Sequence, residues 1–193
     1  MTVRNVRHLV VPVLGPDSEP ILAGRLDGKR AFMRAIETLP PTHESVLVVL
    51  DFRGIELATS SYLSEAVIRL RDHVRLARSY LVVANLADKV AEELHDLLSR
   101  SNDALVACDL SLEGEPTNRQ LLGTLEPALK ETFDLVLSKG EANAVTLHNE
   151  SSNERKIGPT AWNNRLNALS AKSLLVETAH GRTKTYRPLL EAA

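Results

Sequence analysis

The chain is poor in the residues that staple proteins together and in those that bind metals. It has a single cysteine, Cys108, in 193 residues, so no internal disulfide can form, and its place in the apolar run ALVACDL marks it as a small buried side chain. The six histidines, His8, His43, His73, His95, His148 and His180, are scattered. They make no HExxH and no Cys/His spacing that assembles a zinc site, so no metal is expected. A glycine-rich phosphate loop is missing as well, and no cofactor is expected. The long apolar runs, such as SVLVVL and YLVVA, are strand-sized and far short of the roughly 20 residues that span a bilayer. The N-terminus lacks the apolar core of a signal peptide. The expectation is a cytoplasmic protein with no membrane partner.

What is present is ample apolar material, 44% of the chain, enough for one large core or two small ones. The net charge of −2 conceals an uneven spread. Residues 1–112 carry 13 Lys/Arg against 15 Asp/Glu, residues 113–154 carry 3 against 8, and residues 155–193 carry 7 against 2. A clustered positive segment attracts polyanions, which makes the last forty residues or so a first pointer to nucleic acid.

Hydrophobic periodicity divides the chain. VRHLVVPVL and ILAGR read as strands, and DGKRAFMRAIETL as a helix with Phe32, Ile36 and Leu39 on one face, stopped by Pro40 and Pro41. SVLVVLDF is a continuous apolar run, the pattern of a strand covered on both faces and central to its sheet. In the helix after it, Leu63, Ala66, Val67, Leu70 and Val74 make the packed face, while Glu65, Arg69, Arg71 and Asp72 lie around the wet one. YLVVANL, DKVAEELHDLL and ALVACDL repeat strand, helix, strand. This alternation predicts an α/β sheet with packed helices over residues 1–112. SLEGEPTNRQ, punctuated by Gly114 and Pro116, predicts a linker over residues 113–119. Residues 120–193 then read as a second, smaller domain. EPALKETFDLVLSKG is a helix opened by Pro127 and closed by Gly140, EANAVTLHNES a shorter one, and TAWNNRLNALSAKSLL a third after Gly158 and Pro159. LLVETAHGRTKTYRPL reads as two strands joined by a tight turn at His180 and Gly181.

The stretch from SVLVVLDFRGIELATSSYLSEA to ALVACDL resembles STAS domains, the fold of sulfate-transporter tails and anti-anti-sigma factors, and is most similar to STAS-like relatives of unknown function. In anti-anti-sigma factors the loop after the central strand carries Asp-Ser-Ser-Gly, whose first serine is phosphorylated by a kinase-like ATPase that doubles as an anti-sigma factor. The matching positions are Thr59, Ser60, Ser61 and Tyr62, which share the two serines. The resemblance implies a phosphoacceptor or partner-binding loop. The residues themselves also allow a plainer role. A serine before an amphipathic helix accepts from an orphan backbone N–H and stabilises the helix by about 1 kcal/mol. The same helix start would favour a phosphate on Ser60, so the two roles are compatible.

PTAWNNRLNALSAKSLLVETAHGRTKTYRPL resembles a winged helix-turn-helix, with Ser173 where a glycine usually follows the third helix. On that helix Trp162, Leu166 and Leu169 are expected to face the core, leaving Thr160, Asn163, Asn164 and Asn167 on the opposite side. Asparagine is a poor helix former, and it reads adenine bidentately, while threonine bonds base edges or touches the thymine methyl. Arg165, Lys172, Arg182, Lys184 and Arg187 are the candidate phosphate contacts, with Arg182 and Lys184 in the wing. Double-stranded DNA is the implied partner, and paired half-sites would need a homodimer. The bland alternatives are a solvated polar face, an ordinary hairpin turn, and a core role for Trp162 and Tyr186.

The expected function is thus a prokaryotic-type regulator, not an enzyme, in which the STAS-like part binds a protein and the winged helix binds DNA. The alternative is an adaptor whose winged helix docks protein. Catalysis would need His73 or His95 brought to Ser60, since Thr59 and Tyr62 flank the serines where a nucleophile elbow needs small residues.

Overall fold

A computed structural model describes residues 7–13, 19–40, 45–150, 157–181 and 183–190. The chain is mixed α/β and forms two compact units that divide between Thr124 and Leu125.

In the first unit β1 (Arg7–Pro12), β2 (Ile21–Leu22), α1 (Arg25–Thr38) and β3 (Val46–Asp51) come first, then β4 (Leu57–Ala58) and α2 (Ser60–Leu63). α2 runs through a π-helical turn (Ser64–Ile68) into α3 (Arg69–Leu76), and β5 (Tyr80–Ala84), α4 (Asp88–Ser99), β6 (Ala104–Leu110) and β7 (Pro116–Gly123) complete it. The sheet order is β1-β3-β5-β6-β7, parallel except for β7. Successive parallel strands step one way across the sheet, and right-handed crossovers then place the helices on one face. Accordingly one core joins alternate strand residues, Val46, Val48, Leu50, Leu81, Val83 and Leu105, to the helical stripe of Leu63, Ala66, Val67, Leu70 and Val74. The intervening Leu47, Val49, Val82 and Val106 are buried too, which is why β3 and β5 read as unbroken apolar runs. Cys108 is buried on β6, and burial pushes its thiol up to about 12, so it stays protonated and unreactive.

Two sequence expectations change here. Most of residues 113–119 belong to a hairpin and strand. Ser111 Oγ accepts from the Glu113 and Glu115 amides at 3.2 Å, Gly114 turns the chain at φ 81°, and β7 pairs with β6. Glycine and proline punctuate turns as well as linkers, and without β7 the groups along β6 would be unpaired. Arg71, expected on the wet face of its helix, is buried. Its Nη1 lies 2.8 Å from Asp103 Oδ2, and Nε and Nη2 donate to Asp72 Oδ1 at 3.0 and 2.9 Å. Next to Leu70 it stands on the shoulder of the apolar stripe, where a long guanidinium reaches past packed carbon to a carboxylate.

The second unit runs α5 (Pro127–Lys139), α6 (Ala144–Glu150), α7 (Pro159–Ala171), β8 (Leu175–His180) and β9 (Thr183–Pro188). Pro127 and Pro159 open α5 and α7, Gly140 closes α5 at φ 72°, and the Asn143 side chain caps α6 by accepting from Val145 and Thr146. β8 and β9 pair antiparallel, and Ala142, between α5 and α6, bridges to Tyr186 on β9. Trp162, Leu166, Leu169, Phe133, Val136 and Tyr186 are buried in this unit. After α7, Ser173 takes the left-handed conformation at φ 58° while the Leu174 amide closes back on the Leu169 carbonyl at 3.0 Å. The serine therefore fills a glycine's backbone role.

Two substitutions test this framework by urea denaturation. At Gly123, φ is 84° and an added Cβ would meet the Asp103 carbonyl at 2.2 Å and Leu98 Cβ at 2.7 Å, so Gly123→Ala is expected to cost about 3 kcal/mol or more. Ser173→Gly relieves a left-handed serine and is expected to stabilise by about 0.5–1 kcal/mol.

Candidate functional site

The serine loop begins where β4 pairs with β2. Thr59 has extended backbone (φ −78°, ψ 151°), and Ser60 and Ser61 are already the first residues of α2. The cap is therefore Thr59 and not either serine. Its Oγ1 accepts from the Tyr62 amide at 3.4 Å and from the Gly24 amide at 3.3 Å, and it lies 3.1 Å from Ser61 Oγ. The Thr59 amide donates to the Leu22 carbonyl at 2.9 Å. One hydroxyl thus ties α2 to the start of α1. Thr59 is exposed, Ser60 and Ser61 are half-buried, and Tyr62 is 2% exposed. Of the four loop residues named from sequence, Tyr62 belongs to the core. Burial raises the pKa of its hydroxyl, with Arg34 opposing and Asp27 adding to the shift.

The two histidines that a catalytic role for Ser60 would need are engaged elsewhere. His73 meets Phe32 edge-on with ring centroids 6.0 Å apart, and His95 Nδ1 accepts from the Gly123 amide at 3.1 Å. Among the described residues no three His, Cys, Asp or Glu side chains gather as a metal cluster. Sequence reasoning missed a brace at the carboxyl ends of the strands. Asn85 Nδ2 donates to Asp51 Oδ1 at 2.7 Å, and Asn85 Oδ1 accepts from the Leu110 amide at 2.9 Å. Its signal is faint: an Asp ending one buried run and an Asn following the next.

On α7 the buried stripe is Trp162, Leu166 and Leu169, which matches the helical spacing. Thr160 and Asn164 are exposed, whereas Asn163 and Asn167 are half-buried. Asn167 is occupied within the fold, its Oδ1 accepting from the Tyr186 hydroxyl at 2.6 Å. Burial first, and the Glu177 charge and hydrogen bond after it, push that phenol up to about 12, so it remains a donor. The exposed start of α7 is therefore narrower than the sequence implied, with Thr160 and Asn164 one turn apart.

The basic residues have acidic neighbours. Arg165 stacks over Trp162, 5.2 Å from the ring centroid, and its Nη1 is 3.6 Å from Glu131. Lys184 Nζ is 2.8 Å from Glu177, and Arg187 pairs with Glu141. Lys172 is half-buried, and Arg182 lies outside the described residues. Sequence reading could not find Glu131 and Glu141 as partners, because they are remote along the chain and belong to the acidic segment. Counted from Leu125, the second unit holds nine Lys/Arg against eight Asp/Glu, so the basic stretch folds against its own counter-charges.

If Thr59 is the cap, Thr59→Ala is expected to lower stability by about 1 kcal/mol and Ser60→Ala to change it by less than about 0.5 kcal/mol, both read by urea denaturation. The reverse ranking would restore the cap to the serine.

No protein-family model, no curated protein and no solved structure matches the chain. Its function has to be read from its own side chains.

Proposed function

We propose that the chain is a two-part regulatory protein, with a STAS-like unit that binds a protein partner and a winged helix-turn-helix that binds double-stranded DNA. The observation that carries the DNA reading is the exposed pair Thr160 and Asn164 at the start of α7, the third helix of a three-helix unit closed by a hairpin. Helix-turn-helix proteins offer the N-terminal residues of such a helix to base edges. The bridge from Ala142 to Tyr186 supports the winged-helix reading, since it ties the hairpin back to the turn between α5 and α6. Lys184 and Arg187, both exposed on β9, are the candidate phosphate contacts, one on each face of the hairpin. Their present partners are exposed or half-exposed carboxylates, and surface ion pairs of about 0–1 kcal/mol are readily exchanged for phosphate.

The STAS-like reading is supported by the parallel order β1-β3-β5-β6 and by a helix that starts at the serine pair. The exposed Thr59 and half-buried Ser60 and Ser61 make the loop a contact surface for a regulator such as a kinase-like ATPase, with Ser60 as the acceptor. Only residues 124–126 separate β7 from α5, a short connection through which partner binding or phosphorylation would alter DNA affinity. A homodimer would present two α7 helices to paired half-sites. The protein-docking adaptor remains the second reading, favoured by the carboxylates paired with Arg165, Lys184 and Arg187.

The test is recovery and sequencing of genomic DNA fragments retained by the full-length protein near physiological salt, beside a Thr160→Ala/Asn164→Ala variant. Enrichment of a short motif by the native chain is expected, with affinity for it falling roughly tenfold or more in the variant. Equal weak retention by both proteins would assign the second unit to protein docking. For the loop, Ser60→Glu is expected to shift affinity for the enriched motif, and unchanged affinity with and without a partner would remove the switch.

A further inference from the structure

The first unit contains an apolar chamber of about 330 Å³ between α1, the helix that runs from α2 through the π turn into α3, and the ends of β1 and β3, lined by Val11, Ala35, Leu50, Phe52, Ala66 and Leu70. Protein interiors are close-packed, and openings larger than a water molecule are few. This one exists because α1 and the π turn contribute alanines, Ala31, Ala35 and Ala66, where longer side chains would close it. A second cavity of about 310 Å³ shares Val13, Arg34 and Tyr62 with the first, and carries charged residues on its rim. Together they make an apolar chamber with a polar vestibule, each at the lower end of the roughly 300–1,000 Å³ typical of ligand sites.

Tyr62 stands where the two meet. The residue is 2% exposed, its hydroxyl is buried, and among the described residues that hydroxyl has no hydrogen-bond partner. An unsatisfied buried donor costs stability unless something else satisfies it. The vestibule lining carries two carboxylates, Glu19 and Asp27, and two guanidinium groups, Arg30 and Arg34. Asp27 is paired with Arg30 at 3.0 Å. Arg34 lines both cavities, whereas Glu19 lines the vestibule alone. At the neck, therefore, a neutral donor and a guanidinium face the same space.

We propose that this is a binding site for a single-chain anionic amphiphile, a medium-chain carboxylate, with its alkyl chain in the apolar chamber and its head group held by the Tyr62 hydroxyl and Arg34. The site would give the first unit a small-molecule input separate from the Thr59–Tyr62 loop surface, although Tyr62 joins the two. It does not depend on the second unit binding DNA.

The experiment is calorimetric titration of the full-length protein with octanoate, with 1-octanol and octyltrimethylammonium as neutral and cationic counterparts. Saturable one-to-one binding of octanoate is expected, with much weaker binding of the other two. Tyr62→Phe should weaken octanoate roughly tenfold through loss of a hydrogen bond to a charged group, Arg34→Gln should weaken it as well, and Ala31→Leu should block it by filling the chamber. Tyr62→Phe removes an unpartnered hydroxyl, so its melting temperature should be no lower than that of the native chain, which separates lost binding from lost fold. The proposal is overturned by any of three results. These are no saturable octanoate binding below about 1 mM, equal binding of 1-octanol, or undiminished binding by both Tyr62→Phe and Ala31→Leu.

Discussion

The close crossing of α1 over the start of α2 is the constraint on which the first unit's loop depends. A Cβ at Gly28 would sit 2.8 Å from the Tyr62 carbonyl and 2.9 Å from Glu65 Cβ, so only glycine lets the two helices approach this far. The approach puts the Gly24 amide within reach of Thr59 Oγ1 and lets β2 lie beside β4. It also buries Tyr62. The serines are thereby fixed in the first turn of a helix whose cap precedes them. Their half-burial follows from backbone packing, and any signalling role has to work within it.

In the second unit a buried core around Trp162 and Tyr186 sets the fold, and charges of opposite sign meet on its surface. The basic last segment looked like a free polycation in sequence. In the fold, Glu131, Glu141 and Glu177 lie beside Arg165, Arg187 and Lys184. Arg165 is committed furthest, since it also stacks on the buried Trp162. The pairs on β9 are more exposed, and their small net energy leaves them open to exchange. Specific reading would fall mainly to Thr160 and Asn164, because Asn167 serves as the acceptor for Tyr186.

Much of this was legible from the chain. The unbroken apolar run of β3, the stripe from Leu63 to Val74, and the proline starts and glycine stop of the later helices are all local patterns, and local patterns survive folding. What was not legible depended on pairing across distance. β7 looked like a linker because Gly114 and Pro116 mark turns and linkers alike, and only its register with β6 distinguishes them. Arg71 looked exposed because its partner Asp103 lies 32 residues on, in the turn before β6. Thr59, one position before the serines, is the cap because its backbone is extended and its Oγ1 accepts from the Tyr62 amide, which residue type alone does not show. Asn167 shared the face of Thr160 and Asn164 in a helical projection, which does not record the tyrosine beside it. The chamber behind Tyr62 had no sequence signal, since alanines on helices are ordinary residues.

We propose that the start of α7 and the β8–β9 hairpin meet nucleic acid. The most direct measurement is an NMR titration of the isotope-labelled full-length chain with a mixed-sequence DNA duplex at low salt, following every assigned amide. Perturbations are expected to concentrate between Thr160 and Ala168 and along β9 around Lys184 and Arg187, and to be lost as salt rises. Perturbations spread evenly over the chain, or gathered on α4 and β7 with α7 unmoved, would contradict it.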